Sequence, residues 1–239
     1  MPLPLADIIS LFPALQELDI QMSGVVMDIP SDTVPPRELR GLALSRSSVG
    51  PILTWLDAMD HLPNIHSLKL PSLRLSDVPT VRAALQRLGG ALHHLSIDLG
   101  RVDDGVNTFD VFNLSLHRNL ITLDMDFSWV YSEAHVNAMI PWITKLVAPT
   151  IECLSLELDL SCSVYQSFDW AALDAFFSPA RFPRLRSITF KCFEHGNHEY
   201  GDYAYENDDD EEPDIDAEHK FLRGALPLLE ASGVLHKGW

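Results

Sequence analysis

The sequence predicts an α/β fold in which parallel strands, joined by helical crossovers, stack in chain order. Three observations predict it. A leucine-x-x-leucine-x-leucine pattern recurs seven times, each copy alternates apolar and polar residues, and the stretches between copies switch to helical spacing. A single copy has no partner for its apolar face, so the copies must stack to bury it.

The copies read PALQELDI from Pro13, PRELRGLAL from Pro36, PNIHSLKL from Pro63, GALHHLSI from Gly90, RNLITLDM from Arg118, PTIECLSL from Pro149 and PRLRSITF from Pro183. An eighth, frayed copy is expected at PLLEASGVL, from Pro227 to Leu235. The step between copies widens from 24 residues (Leu15 to Leu39) to 34 (Ile151 to Leu185). Leucine-rich repeats run 20–29 residues, so the array starts inside that range and drifts above it. The expected architecture is a right-handed leucine-rich-repeat solenoid, a horseshoe arc with strands on the concave face and helices on the convex one. Residues 1–239 then form one domain of seven to eight irregular repeats.

Within each copy, period-two alternation such as Leu18-Asp19-Ile20 or Leu123-Asp124-Met125 marks a half-buried strand. Between copies, Ile52-Leu53-Leu56-Met59, Val81-Ala84-Leu85-Leu88, Val136-Met139-Ile140-Ile143 and Trp170-Leu173-Phe176-Phe177 fit helical faces. Ser76 with Asp77, Ser132 with Glu133, and Asp169 stand where helices start; Gly89-Gly90 and Ser178-Pro179 stand where they stop. Pro141 should bend or break the helix expected from Ser132 to Val147. Residues 21–36, with three prolines, read as an irregular loop. His219 to Ala231 resumes helical character, and Leu235 to Trp239 reads as a capping edge strand.

Charge narrows the partners. The formal net charge is −17, from 17 basic and 34 acidic residues, which argues against nucleic acid and anionic membranes, since both need clustered Lys and Arg. From Glu194 to Glu218 there are twelve acidic residues and no Lys or Arg, and aliphatic side chains are scarce. That segment, 194–218, is expected to be a disordered surface insertion. Cys153, Cys162 and Cys192 lack any C-x-x-C spacing, and no secretory leader or membrane span is recognisable. An intracellular location, cytoplasmic or nuclear, is expected, with the chain a monomer.

Chemistry-bearing motifs are absent from the pattern. His195, His198 and Glu199 have His-x-x-His spacing without further placed ligands, and the Asp208–Asp216 run contains Pro213 where a calcium loop needs its turn glycine. No phosphate-binding glycine loop and no nucleophile elbow occur. The expectation is no cofactor, no metal and no catalysis. His93 and His94 precede Leu95, so one is expected to face the interior and the other the concave surface. Trp129, Tyr131, Trp142, Trp170, Phe176 and Phe177 are assigned to packing, whereas Tyr200, Tyr203 and Tyr205 lie interleaved with acids.

The candidate surface is the outward strand face, where residues at positions 3, 5 and 7 of each copy point away from the leucines. The candidates are Glu17, Asp19, Ser67, Lys69, His94, Ser96, Asp98, Thr122, Asp124, Asp126, Ser155, Glu157, Thr189 and Lys191. Its middle is acidic, which suits a basic protein partner.

The copies FPALQELDI, LPNIHSLKL, FPRLRSITF and the closing ALPLLEASGVL resemble the C-terminal half of divergent fungal leucine-rich-repeat proteins that often carry an N-terminal F-box. The likeness spans about Leu11 to Leu235. It implies a module whose repeats choose the substrate of a cullin-type ubiquitin ligase, with the adaptor held by an F-box. No F-box stands in this sequence, so adaptor binding is expected only of a chain with one upstream. The alternative is an acidic leucine-rich-repeat binder of basic proteins such as histones.

Overall fold

The computed structural model describes residues 8–9, 11–21, 29–30, 33–99, 111–127, 133–158, 160, 165, 168–192 and 215–238. Eight strands form one parallel sheet: β1 (Glu17–Asp19), β2 (Gly41–Ala43), β3 (Ser67–Leu70), β4 (His94–Asp98), β5 (Thr122–Asp126), β6 (Cys153–Leu158), β7 (Ser187–Cys192) and β8 (Leu235–Gly238). Their order in the sheet is their order in the chain, and the sheet is not closed, leaving β1 and β8 as its edges.

The register follows the repeat alignment without a slip. Leu18, Leu42, Leu68, Leu95, Leu123, Leu154 and Ile188 stand opposite one another across successive strands. A slip of one residue would turn every leucine to the other face, so the buried row enforces the pairing. From Leu42 to Ile188 these side chains are buried, and Leu18, on the edge strand, is partly buried. At the starts of β2 to β7 one carbonyl of the preceding repeat accepts two successive backbone N–H groups: for example Arg40 O from His66 and Ser67, His66 O from His93 and His94, Ile121 O from Glu152 and Cys153.

Helices supply the other half of the core. They are α1 (Val49–Ala58), α2 (Val78–Leu88), α3 (Glu133–Ile143), α4 (Trp170–Phe176), α5 (Ile215–Ala225) and α6 (Pro227–Ser232). Ile52, Leu53 and Leu56 of α1, Val81 and Leu85 of α2, Met139 and Trp142 of α3, and Leu173 of α4 join the strand leucines in one buried cluster. Each such side chain contributes roughly 1.5–3 kcal/mol when removed from water. Asp169 caps α4, accepting from the Ala172 N–H at 3.0 Å, and Gly89 ends α2 at a positive φ of 44°. Asp77 occupies the N-cap of α2 but makes no side-chain cap bond. The aromatics satisfy their polar ends inside: Trp142 Nε1 donates to Phe112 O at 2.6 Å, and Trp170 Nε1 to Tyr165 O at 3.0 Å.

Three expectations need correction. The helix around Pro141 ends at Ile143 instead of Val147, because Pro141 lacks an N–H and the following residues close tighter turns, Lys145 N to Trp142 O and Leu146 N to Ile143 O. The segment read as a frayed eighth LxxLxL copy is mostly the helix α6, in keeping with the helical character expected up to Ala231, and the eighth strand is the expected edge strand, with Leu235 opposite Ile188. Pro227 at the first helical turn and Gly233 in the left-handed conformation at its end favour that helix. The acidic insertion ends earlier than expected, because Ile215 already begins α5. Residues 193–214, with the histidines and tyrosines noted there, lie outside the described residues, as do Trp129, Tyr131 and Cys162. In the loop of residues 21–36, Thr33 is tied down by Trp55, whose Nε1 donates to its carbonyl at 2.7 Å. No helix among the described residues is long and apolar enough to cross a membrane.

Candidate protein-binding face

The alternation that buries the leucines turns the intervening residues to the opposite face of the sheet, and the in-register pairing sorts them into rows. The third-position row holds Glu17, Gly41, Ser67, His94, Thr122, Cys153 and Ser187. The fifth-position row holds Asp19, Ala43, Lys69, Ser96, Asp124, Ser155 and Thr189. At the seventh position Asp98 stands beside Asp126, Asp126 beside Glu157, and Glu157 beside Lys191. Neighbouring strands lie ~4.8 Å apart, so three carboxylates occupy about 10 Å of one row.

Those acids line a depression of about 310 Å³ on this face, together with Lys69, Ser96, Asp124, Ser155 and Lys191. Leu44, Leu70, Pro71, Ile97 and Met125 contribute apolar edges. Asp98 is steered by the backbone, accepting from Ser72 N at 3.1 Å. Burial pushes the Glu157 carboxyl above its ordinary value; Asp126 and Asp98 add to the rise and Lys191 opposes it.

Of the fourteen candidate residues, eight meet here: Lys69, Ser96, Asp98, Asp124, Asp126, Ser155, Glu157 and Lys191. The other six share the face without lining the depression. His94 and Thr122 pair at its opposite end, Nδ1 to Oγ1 at 2.9 Å. Glu17 lies across from Gly41, where an added Cβ would meet Glu17 Cγ at 3.0 Å. Asp19 accepts from the Gln21 side chain at 3.1 Å. Ser67 and Thr189 are half-buried in the outer strands.

His94 faces outward as expected, but His93 does not enter the core. It is half-buried, with its ring 5.1 Å from that of His66. Burial lowers the pKa of His66, and the neighbouring His93, Arg40 and His94 lower it further. Sequence reasoning missed this pair, although both residues occupy the second position of their copies and therefore had to be neighbours. It also missed the burial of Ser155, which alternation alone assigns to an open polar face. Among the described residues no group of His, Cys, Asp and Glu could hold a metal ion. No protein-family model matches the chain, and no curated protein matches it in sequence.

Proposed function

We propose that this chain is a non-catalytic protein-binding module, a leucine-rich-repeat solenoid whose strand face is the concave docking surface. The observation that carries the reading is the arrangement of charge. Eight of the candidate residues line one depression, and no helix residue stands among its described lining, while the leucines of the same strands lie in the core. The repeat lengths and the in-order ladder support the solenoid. The resemblance to F-box leucine-rich-repeat proteins supports a role as the substrate-recognition part of a ubiquitin ligase receptor.

A second reading, a binder of basic proteins such as histones, draws on the row Asp98, Asp126 and Glu157. Both readings put the partner on the same face, and Asp124→Lys combined with Asp126→Lys tests that. Affinity for a partner isolated with the wild-type chain should fall at least tenfold while the melting temperature changes little. Undiminished capture would mean the acids serve solubility alone. A partner that is not degraded more slowly in cells lacking this protein would count against the ligase role.

A further inference from the structure

Where the strands begin, the second residues of successive copies form a row of their own: Gln16, Arg40, His66, His93, Ile121, Glu152 and Arg186. From Gln16 to Glu152, each carbonyl of this row accepts two N–H groups of the next copy. His66 O holds His93 and His94, and His93 O holds Ile121 and Thr122. The charges in the row are unevenly placed. At one end Arg186 lies 3.6 Å from Glu152, whereas at the other Arg40, His66 and His93 follow one another. The His66 and His93 rings are 5.1 Å apart, and the ring of His94 is 6.4 Å from that of His93.

We propose that His66, His93 and His94, with Arg40, form an acid-operated switch at the strand starts: proton uptake by the imidazoles loosens the backbone pairing that this end of the row supports. Among the described residues the charged or titratable groups that act on His66 are His93, Arg40 and His94, and none of them is a carboxylate. Glu38 stands 4.0 Å from Arg40, and on the helix side His61 is buried against Leu39 O. Beyond His94 comes the uncharged Thr122, bonded to it at 2.9 Å, and the acid in that row, Glu17, is three strands away. A proton added here meets other positive charges. Both ring separations are shorter than the screening length of ~8 Å at physiological ionic strength, so the repulsion survives ordinary salt.

Linkage gives the direction. Burial first, and those neighbours second, hold His66 below its ordinary value of 6.5, so the opened rim binds the proton more readily than the closed one. The closed rim keeps its full stability above about pH 6.5 and loses it as pH falls below. Strand starts are able to respond alone, because proteins open locally in units well short of global unfolding. The same row supplies an internal control. Ile121 and Glu152 hold the next strand starts with the same shared-acceptor geometry, but Ile121 takes no proton and Glu152 is paired with Arg186. The switch is independent of the protein-binding reading, since it lies at the opposite end of the strands from the depression.

The test is amide hydrogen exchange on the full chain at pH 7.5 and pH 5, corrected for the intrinsic rate at each pH. Protection of the His93, His94, Ile121 and Thr122 amides should be about tenfold lower at pH 5, while that of Glu152, Cys153, Arg186 and Ser187 stays unchanged. Raising sodium chloride to 1 M, where the screening length is ~3 Å, should shrink the loss. His66→Asn combined with His93→Asn should abolish it, with thermal melting to check that this variant is folded. The salt comparison on the wild-type chain needs no substitution, so it decides even where the variant fails to fold. Four results would overturn the switch: no loss at the first set of amides, an equal loss at both sets, a loss that salt leaves unchanged, or a loss that persists in the folded double variant. An equal loss would mark global destabilisation, of the kind a buried histidine such as His117 produces.

Discussion

Asp174 closes the C-terminal end of the array with one carboxylate. Buried on α4, it accepts from the backbone N–H groups of Leu228 and Leu229, each at 2.9 Å, at the first turn of α6. Hydrogen bonds to a charged group are worth about 1.5–3 kcal/mol each, and their loss strands two donors. Asp174→Ala is therefore expected to destabilise the chain by about 2–4 kcal/mol. Amide hydrogen exchange should show protection falling first in α6 and β8. Nothing in the sequence announced this residue, because an aspartate in a helical stretch reads as solvated until the helix above it is placed. His117 was equally silent. It is buried, its Nδ1 lies 2.9 Å from Gly89 O, and burial lowers its pKa although that hydrogen bond opposes the change. With the folded pKa below the unfolded value of 6.5, the unfolded chain binds the extra proton first as pH falls. Stability from this group is complete above about pH 6.5 and declines below it, levelling off only below the folded pKa. His66 has the same sign. Chemical denaturation between pH 7.5 and 5 should show that decline in the wild type, and His117→Gln should make it shallower.

At the scale of the element, the strands were the most legible part of the chain. Their alternation is enforced twice, by burial of Leu95, Leu123 and Leu154 on one side and by pairing on both edges, so pattern and structure had little freedom to diverge. Helices were legible as faces and less so at their ends. Pro141 was recognised as a breaker, but the position of the stop depends on how the residues after it are tied back, which no local rule supplies. The edge strand from Leu235 was placed correctly, but the eighth repeat copy was not, for a similar reason: PLLEAS satisfies both a helix and the repeat template, and the Asp174 contact favours the helix. The candidate face was readable down to its rows, because register follows from the leucines. Its depression was not, because the burial of Ser155 depends on how the side chains of three strands lean together. Leu95→Ala, in the centre of the ladder, should cost about 2–5 kcal/mol, measured as a fall in the denaturation midpoint. Leu18→Ala, on the partly covered edge, should cost clearly less.

On the scale of the whole molecule, the two edges of the sheet are unlike. At one end α6 and β8 lie against the core through buried Leu226 and Leu229; at the other β1 is three residues long and Leu11 and Phe12 are exposed. Short edge strands bearing charge resist pairing with another chain, and Glu17 and Asp19 give β1 that character. Because each strand bonds only to its neighbours in sequence, the ladder has its first and last rungs at opposite extremities. Tension applied between the ends of the chain would then load one pair of strands at a time, peeling hydrogen bonds in succession instead of shearing many together. Optical-tweezer traces should accordingly show a series of small, low-force extensions, each of roughly 90 Å for a repeat of about 27 residues, in place of one abrupt rip. A molecule built this way yields gradually under traction.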